Sequence, residues 1–316
     1  MIDERIIFMG TPDFAVVSLQ ALQNADVNIV GVITAPDRRS GRGMKLQPSA
    51  VKQFALKNGL RILQPTNLKS EEFLEELRSL NATLQVVVAF RMLPEVVWNM
   101  PPKGTINLHA SLLPHYRGAA PINWAVINGE KETGVSTFFL QHKIDTGNII
   151  FQEKVAIGAT ETAGQLHDRL MKIGAQLMVK TVEAISNGEN PNTPQSASNS
   201  ELKEAPKIFK EDCRIDWSRT TDKVLNLIRG LSPYPAAFTV ISNAKEEIQL
   251  KIFQARLCEE EMASSPSENI LSNSKQLFIK CADGWLEILE LQLAGKKRMS
   301  TKNFLLGFDV LDFEIS

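Results

Sequence analysis

A chain of 316 residues is longer than a usual single domain, so we expect two domains. Hydrophobic residues make up 43% of the chain and charged residues 22%, which is typical of a soluble globular protein with sizeable cores. The formal net charge is only −1, so the charge of the whole chain does not indicate a nucleic-acid binder, and any such surface must be local.

The cysteines and the apolar runs indicate a cytoplasmic protein. Cys213, Cys258 and Cys281 are odd in number and lack C-x-x-C spacing, so we expect reduced thiols rather than disulfides or a zinc site. The first predicted strand begins at Arg5, and we therefore expect no signal peptide. Apolar runs such as 86–90 are too short to span a bilayer.

The first elements are typical of an α/β sheet. We predict a buried strand at 5–9, a helix at 12–24 and a second strand at 27–34. Gly10 follows the first strand, but the G-x-G-x-x-G pattern is absent, which disfavours dinucleotide binding. A plain turn and a contact with a phosphate are both compatible with Gly10.

A basic segment follows the second strand. It carries one acid and four basic residues, which are Arg38, Arg39, Arg42 and Lys45. The segment is too long for an ordinary loop between a strand and a helix, and clustered cations can bind the backbone of a nucleic acid. A solvated surface loop is the alternative.

Strands and helices then alternate as far as residue 187. We predict helices at 49–58, 70–80, 118–129 and 162–187, and strands at 60–63, 84–90, 104–108, 133–141 and 148–156. The strand at 84–90 is the most apolar and should be central. The alternation predicts a doubly wound, mostly parallel α/β sheet.

Two polar residues occupy the end of the strand at 104–108. Asn107 and His109 are two residues apart, so both side chains point to the same face of an extended chain. An amide donor beside an imidazole suits attack on a carbonyl carbon, which needs an oxyanion donor and a proton carrier. A histidine that merely packs at the strand end is the alternative.

Asp145 lies in an Asp145-Thr146-Gly147 turn. This triplet also occurs in aspartic proteases, but those enzymes need two carboxylates and the chain has one copy. A plain turn is one interpretation. The functional one is that Asp145 approaches His109, fixes the ring and favours its protonated form.

The last third of the chain has a different pattern. Asn, Pro, Ser and Gln dominate 189–207, which we interpret as a linker between a first domain at 1–188 and a second at 208–316. Short alternating strands after residue 236 predict a small, OB-like β-barrel. A local basic patch there could bind RNA or be structural, and it comprises Lys296, Lys297 and Arg298.

Several motifs together resemble the 10-formyltetrahydrofolate-dependent formyltransferases, and among them those that act on methionyl-tRNA. They are Asn107-x-His109-x-Ser111-Leu112-Leu113-Pro114, Tyr116-Arg117-Gly118, Asp145-Thr146-Gly147, and, in the last third, Ser232-Pro233-Tyr234-Pro235 and 294–300. The resemblance covers nearly the whole chain. It implies a Rossmann-like catalytic domain, a tRNA-binding barrel, and formyl transfer from 10-formyltetrahydrofolate to the α-amine of initiator methionyl-tRNA.

The resemblance also implies roles for single residues. Asn107, His109 and Asp145 would be catalytic, and the basic residues at 38–45 and 296–298 would contact tRNA, with Arg42 foremost. Folate would lie against Ser111, Leu112, Leu113 and Pro114, and against a wall formed by Phe90, Arg91 and Met92. Relatives often have Tyr-Gly and one more residue at that wall, so Arg91-Met92 is a departure.

Other interpretations are open to experiment. One is formyl transfer to another amine, such as a sugar amine or glycinamide ribonucleotide, or hydrolysis of formyltetrahydrofolate. A second is a non-catalytic tRNA-binding protein. A third is an NAD-dependent oxidoreductase, which is disfavoured because the chain lacks the glycine pattern of those enzymes. We expect no metal, because the four histidines show no ligand spacing, and we expect a monomer.

Overall fold

The computed structural model describes residues 4–40, 45–196, 202–258 and 269–315, and only the backbone of Ser40 and Lys45. Internal contacts divide the chain into two compact units. The first comprises Met1–Gly118, Thr133–Val155 and Asp168–Glu204, and the second Ala119–Glu132, Ala156–His167 and Ala205–Ser316. Each unit therefore contains more than one stretch of the chain.

The chain up to residue 205 alternates strands and helices. Its strands are β1 Arg5–Gly10, β2 Asn28–Ile33, β3 Arg38–Ser40, β4 Lys45–Gln47, β5 Ile62–Leu63, β6 Leu84–Val88, β7 Thr105–His109, β8 Arg117–Gly118, β9 Glu132–Phe139, β10 Ile149–Ala156 and β11 Glu204–Ala205. Its helices are α1 Asp13–Asn24, α2 Ala50–Lys57, α3 Glu71–Ser79, α4 Glu95–Trp98, α5 Pro121–Ile127 and α6 Ala163–Asn187.

Seven of these strands form one sheet in the order β10-β9-β7-β6-β1-β2-β5. Strands β5, β2, β1, β6 and β7 are parallel, and β9 runs antiparallel to β7. The strand order reverses between β1 and β6, which is the doubly wound topology. The predicted fold of the first part is confirmed, and the carboxyl ends of the parallel strands share one edge.

The core of the first unit explains why these segments form a sheet. Every residue of β6 is buried, as expected for a central strand covered on both faces. In α3 the buried residues are Phe73, Leu74 and Leu77, which lie on one face of the helix and pack with Ile7 of β1. Burial of this apolar stripe is what fixes α3 against the sheet.

The longest helix, α6, is amphipathic. It has 25 residues, and Leu166, Leu170 and Met178 are fully buried, whereas Lys172 and Lys180 are exposed. Across the part of the chain that the structure describes, no helix combines the length and the apolar composition that a membrane span requires.

The second unit contains an antiparallel sheet. Its elements are helices α7 Thr221–Leu231 and α8 Thr301–Leu305, short 3₁₀ turns at Glu211–Cys213 and Val310–Asp312, and strands β12 Ala237–Ser242, β13 Glu247–Leu257, β14 Ile270–Ser272, β15 Leu277–Lys280, β16 Trp285–Leu293, β17 Met299–Ser300 and β18 Glu314–Ile315. The strand order is β14-β15-β16-β13-β12-β18. This nearly closed, barrel-like sheet confirms the predicted fold of the second part.

The segment interpreted as an irregular basic loop contains regular structure. Strands β3 and β4 pair antiparallel, with Arg38 opposite Gln47 and Arg39 opposite Leu46. The prediction of a loop missed this ribbon because its strands are only three residues long and lack apolar alternation.

Candidate active site

The site is built at the carboxyl end of β7. Asn107 and His109 lie on the same face of this strand, which runs between β6 and β9. Asn107 is half-buried, and its side chain makes no hydrogen bond to any residue that the structure describes. An amide on this strand that has no partner among the described residues is available to a ligand.

His109 is buried and oriented by a main-chain atom. Its Nε2 atom lies 2.8 Å from the carbonyl oxygen of Tyr116. Because a carbonyl oxygen only accepts hydrogen bonds, Nε2 carries the hydrogen. Nδ1 is therefore the nitrogen that can gain or lose a proton, and it lies 3.8 Å from Oδ2 of Asp145.

Asp145 is held by backbone and side-chain donors. Its Oδ2 atom accepts a hydrogen bond of 3.0 Å from the backbone N–H of Gly118. Its backbone has a φ of 52°, in the left-handed region. Gln195 donates to the carbonyl oxygens of Asp145 and Gly147 at 2.9 and 2.8 Å. A Cβ atom at Gly147 would lie 1.6 Å from the carbonyl oxygen of Phe139, so the turn fits only glycine.

The sequence therefore predicted three residues that the structure brings to one edge of the sheet. Asn107 and His109 share a strand face, and Asp145 comes from the turn that follows β9. A carboxylate beside a buried imidazole can hold the ring in place, and an unbonded amide can donate to a developing oxyanion. Their catalytic roles stay a prediction.

The segment from Ser111 to Pro114 is fixed by side-chain hydrogen bonds. The Ser111 hydroxyl is fully buried and donates to the carbonyl oxygen of His115 at 2.7 Å, so it shapes the loop. The Ser136 hydroxyl donates to the Ser111 carbonyl oxygen at 2.6 Å and accepts from the Leu113 N–H at 3.2 Å. Leu113 is buried, whereas Leu112 and Pro114 are partly exposed.

The departure at Phe90-Arg91-Met92 has a structural account. The Arg91 guanidinium donates to the carbonyl oxygens of Thr66, at 3.1 Å, and Pro65. It thereby ties the exit of β6 to the segment after β5. Partial burial, with a smaller effect of the Arg38 charge, lowers the pKa of Arg91. Phe90 is exposed only in part, and the Met92 side chain is 74% exposed.

The basic ribbon has a firmly bonded base. Asp37 accepts from Gln64 at 2.9 Å and from Lys52 at 2.6 Å, and these bonds hold its pKa below the ordinary value. Arg38 and Arg39 are exposed on β3. Arg42 lies outside the described residues, as does the side chain of Lys45, so their proposed tRNA contacts stay a prediction.

The second basic patch lies between β16 and β17 in the second unit. Lys296 and Lys297 are exposed, and neither forms an ion pair with a residue that the structure describes. Arg298 is ion-paired with Glu290 and lies 4.3 Å from the ring centroid of Phe253. Arg298 is therefore less available to an anionic ligand than the two lysines.

Two parts of the site were missed by the sequence analysis. The carbonyl oxygen of Tyr116 orients His109, and a backbone atom has no sequence signal. Gln195 lies in the segment interpreted as a linker, where its neighbours indicate only an irregular chain. The nearest available signal was the Tyr116-Arg117-Gly118 motif, because Arg117 is a partner of Gln195.

Family models match both parts of the chain. The model described as formyl transferase matches residues 4–182, and the model described as formyl transferase, C-terminal domain, matches residues 207–309. Together they cover most of the chain.

Relatives and a solved structure resemble the chain over nearly its full length. A methionyl-tRNA formyltransferase of Flavobacterium johnsoniae is 53% identical, covering 98% of this chain and 97% of its own. That of Parabacteroides distasonis is 55% identical, with coverage of 97% and 96%. The fold is similar to an N-formyltransferase from Helicobacter canadensis, in complex with folinic acid and dTDP-3-aminofucose, with a TM-score of 0.67, 21% identity, and coverage of 94% and 100%.

Proposed function

The chain belongs to the formyl transferase family, and we propose that it transfers the formyl group of 10-formyltetrahydrofolate to the α-amine of initiator methionyl-tRNA. The observation that carries this proposal is identity above 50% to proteins named methionyl-tRNA formyltransferase over nearly the whole chain. The grouping of Asn107, His109 and Asp145 supports a catalytic rather than a purely binding function.

The reaction replaces one carbon–nitrogen bond with another. The amine nitrogen bonds to the formyl carbon, the bond from that carbon to the folate nitrogen breaks, and one amine proton moves to the departing nitrogen. His109 is suited to carry this proton at Nδ1, because Tyr116 already occupies Nε2. While His109 holds this proton its ring is an imidazolium, which the carboxylate of Asp145 stabilises.

Asn107 supplies the other half of the chemistry. The carbonyl oxygen of the formyl group gains negative charge when the amine adds, and the Asn107 amide can donate a hydrogen bond to it. One such donor contributes about 10²–10³-fold to the rate of acyl transfer. No covalent bond between protein and formyl group is needed.

The formyl donor and tRNA would contact different residues. The segments 111–114 and 90–92 flank the carboxyl ends of β7 and β6, which is where open α/β sheets bind ligands. Arg38, Arg39, Lys296 and Lys297 are exposed cations suited to phosphates of tRNA. We further propose that the chain acts as a monomer in the cytoplasm, where cysteines without disulfide spacing are ordinary.

The test is single-turnover transfer of a labelled formyl group to charged initiator methionyl-tRNA. We expect the wild type to formylate the tRNA, His109→Ala to bind it with little chemistry, and Arg42→Ala to bind it more weakly. Formate release without tRNA would indicate a hydrolase. Transfer only to a small amine would indicate a sugar-amine or related formyltransferase, and either result would refute the proposal.

A further inference from the structure

We propose that Gln195 is a positioning residue that holds Asp145 in place for formyl transfer, an inference that rests on the proposed function. Gln195 is separated from Asp145 by 50 residues and lies in a segment whose composition predicts only a linker. Its side-chain amide nevertheless binds the acid-bearing turn directly.

Both N–H groups of the Gln195 amide are used on this turn. One donates to the carbonyl oxygen of Asp145 at 2.9 Å and the other to that of Gly147 at 2.8 Å. The two carbonyls belong to the residues before and after Thr146, so the Gln195 amide binds the turn at both of these residues. This contact matters because Asp145 adopts a φ of 52°, which is an uncommon conformation for a residue with a side chain.

The oxygen of the same Gln195 amide binds a residue of strand β8. It accepts from Nε and Nη2 of Arg117 at 3.2 and 2.5 Å. The next residue, Gly118, donates its N–H to Oδ2 of Asp145. Gln195 therefore links the backbone of Asp145 to the short strand whose N–H holds the carboxylate.

This arrangement fixes the carboxylate relative to His109. The Asp145 carboxylate and Nδ1 of His109 are 3.8 Å apart, and a displacement of about 1 Å at a catalytic group can cost 10²-fold in rate. Gln195 touches no reacting atom, so its effect passes through Asp145. Loss of Gln195 should then lower kcat and leave the KM for each substrate nearly unchanged.

Variants at Gln195 separate its donors from its acceptor. Gln195→Ala removes both, and we expect kcat to fall roughly ten- to a hundredfold. Gln195→Glu keeps an acceptor for Arg117 but cannot donate to the two carbonyls, so we expect a comparable fall. The matched control is Asn192→Ala, an exposed amide three residues earlier, which should keep the wild-type rate.

A double-mutant cycle distinguishes positioning from a general structural effect. If Gln195 acts through the Asp145 side chain, Gln195→Ala should cost nothing further when Asp145 is already replaced by alanine. An additive loss, a raised KM at constant kcat, or full activity of Gln195→Glu would overturn the inference. Failure of the wild type to formylate methionyl-tRNA would instead refute the proposed function, which the same assay reports separately.

Discussion

At the scale of single residues, the candidate site depends on which polar atoms are already occupied. Nε2 of His109 is bonded to a carbonyl oxygen, whereas the Asn107 amide has no partner among the described residues. Nδ1 of His109 faces the carboxylate of Asp145 at 3.8 Å, and the Asn107 amide is available to a ligand. The Asn107 amide can be tested by a substitution that changes its chemistry and preserves its size.

Substitution of Asn107 tests the oxyanion donor. We expect Asn107→Ala to lower the single-turnover rate about 10²–10³-fold, because the donor is lost. Asn107→Asp should be at least as slow, since a carboxylate accepts hydrogen bonds and repels negative charge. Asn28→Ala, at an exposed asparagine on the amino end of β2, is the control. A fast Asn107→Asp enzyme would contradict the assignment.

The cysteines give a prediction about reactivity. Burial, with a smaller effect of Asp283, raises the pKa of the Cys281 thiol to about 12. We expect Cys281 to stay protonated and resist alkylation at pH 8, and Cys258, which is more exposed, to react first. Mass spectrometry of iodoacetamide-treated protein reports both sites, and early labelling of Cys281 would show that the β-sheet opens readily.

The same burial has a consequence for stability against pH. The pKa of the Cys281 thiol is higher in the folded chain than its ordinary value of 9.0, which applies to the unfolded chain. The contribution of this thiol to folding stability is therefore fully present below about pH 9. This contribution is lost as the pH rises from about 9 to about 12. Cys281→Ser should lessen the loss in that window, as measured by denaturant unfolding at several pH values.

The sequence predicted the candidate site residues better than their surroundings. Asn107 and His109 were found by their spacing on a strand, and Asp145 by its turn motif. The hydrogen bond from Nε2 of His109 to the Tyr116 carbonyl oxygen could not be predicted, nor could those from Gln195 to the carbonyl oxygens of Asp145 and Gly147. Each depends on a backbone carbonyl brought close by the fold. Contacts of this kind leave no pattern in neighbouring residues.

At the scale of elements, the basic ribbon of β3 and β4 is the clearest test of tRNA binding. Its base is bonded through Asp37 to Lys52 of α2 and to Gln64. These bonds fix the position of Asp37, directly before the exposed Arg38 and Arg39 of β3. The sequence indicated its charge and missed its pairing, because short polar strands lack periodicity.

Loss of a cation from this ribbon should change the salt dependence of binding. We expect Arg38→Ala and Arg39→Ala each to weaken tRNA binding and to reduce the slope of log K against log salt by about one unit per lost phosphate contact. Filter binding at several salt concentrations measures this slope. Lys57→Ala, at an exposed lysine of α2, is the control, and an equal effect there would indicate non-specific attraction.

At the scale of the whole molecule, the two compact units have separate hydrophobic clusters. One contains Ile7, Ile33 and Leu77, and the other contains Ile252 and Leu291. The fold class was predictable because alternation and strand length are periodic properties. The sequence could not predict that residues 119–132 belong to the second unit. The pattern of an amphipathic helix shows which of its faces is apolar, but not which surface that face covers.

A cavity in one cluster should therefore have a local effect. Ile252 is fully buried in β13, and Ile252→Ala should destabilise the second unit by about 2–5 kcal/mol. Hydrogen exchange should accelerate at amides of β12 and β13 and stay unchanged in β1 and β6. Equal acceleration in all four strands would show that the chain unfolds as one cooperative body.

The tight turn at Gly147 limits which variants of this chain can persist. Every missense change of a glycine codon introduces a Cβ atom, and at this position that atom would meet the main-chain oxygen of Phe139. The main chain of Phe139 cannot rotate away as a side chain can. Even alanine, the smallest residue with a Cβ atom, would therefore clash at position 147. In a library covering all codons, position 147 should therefore keep only its synonymous variants, although Gly147 has no side chain with which to bind a substrate.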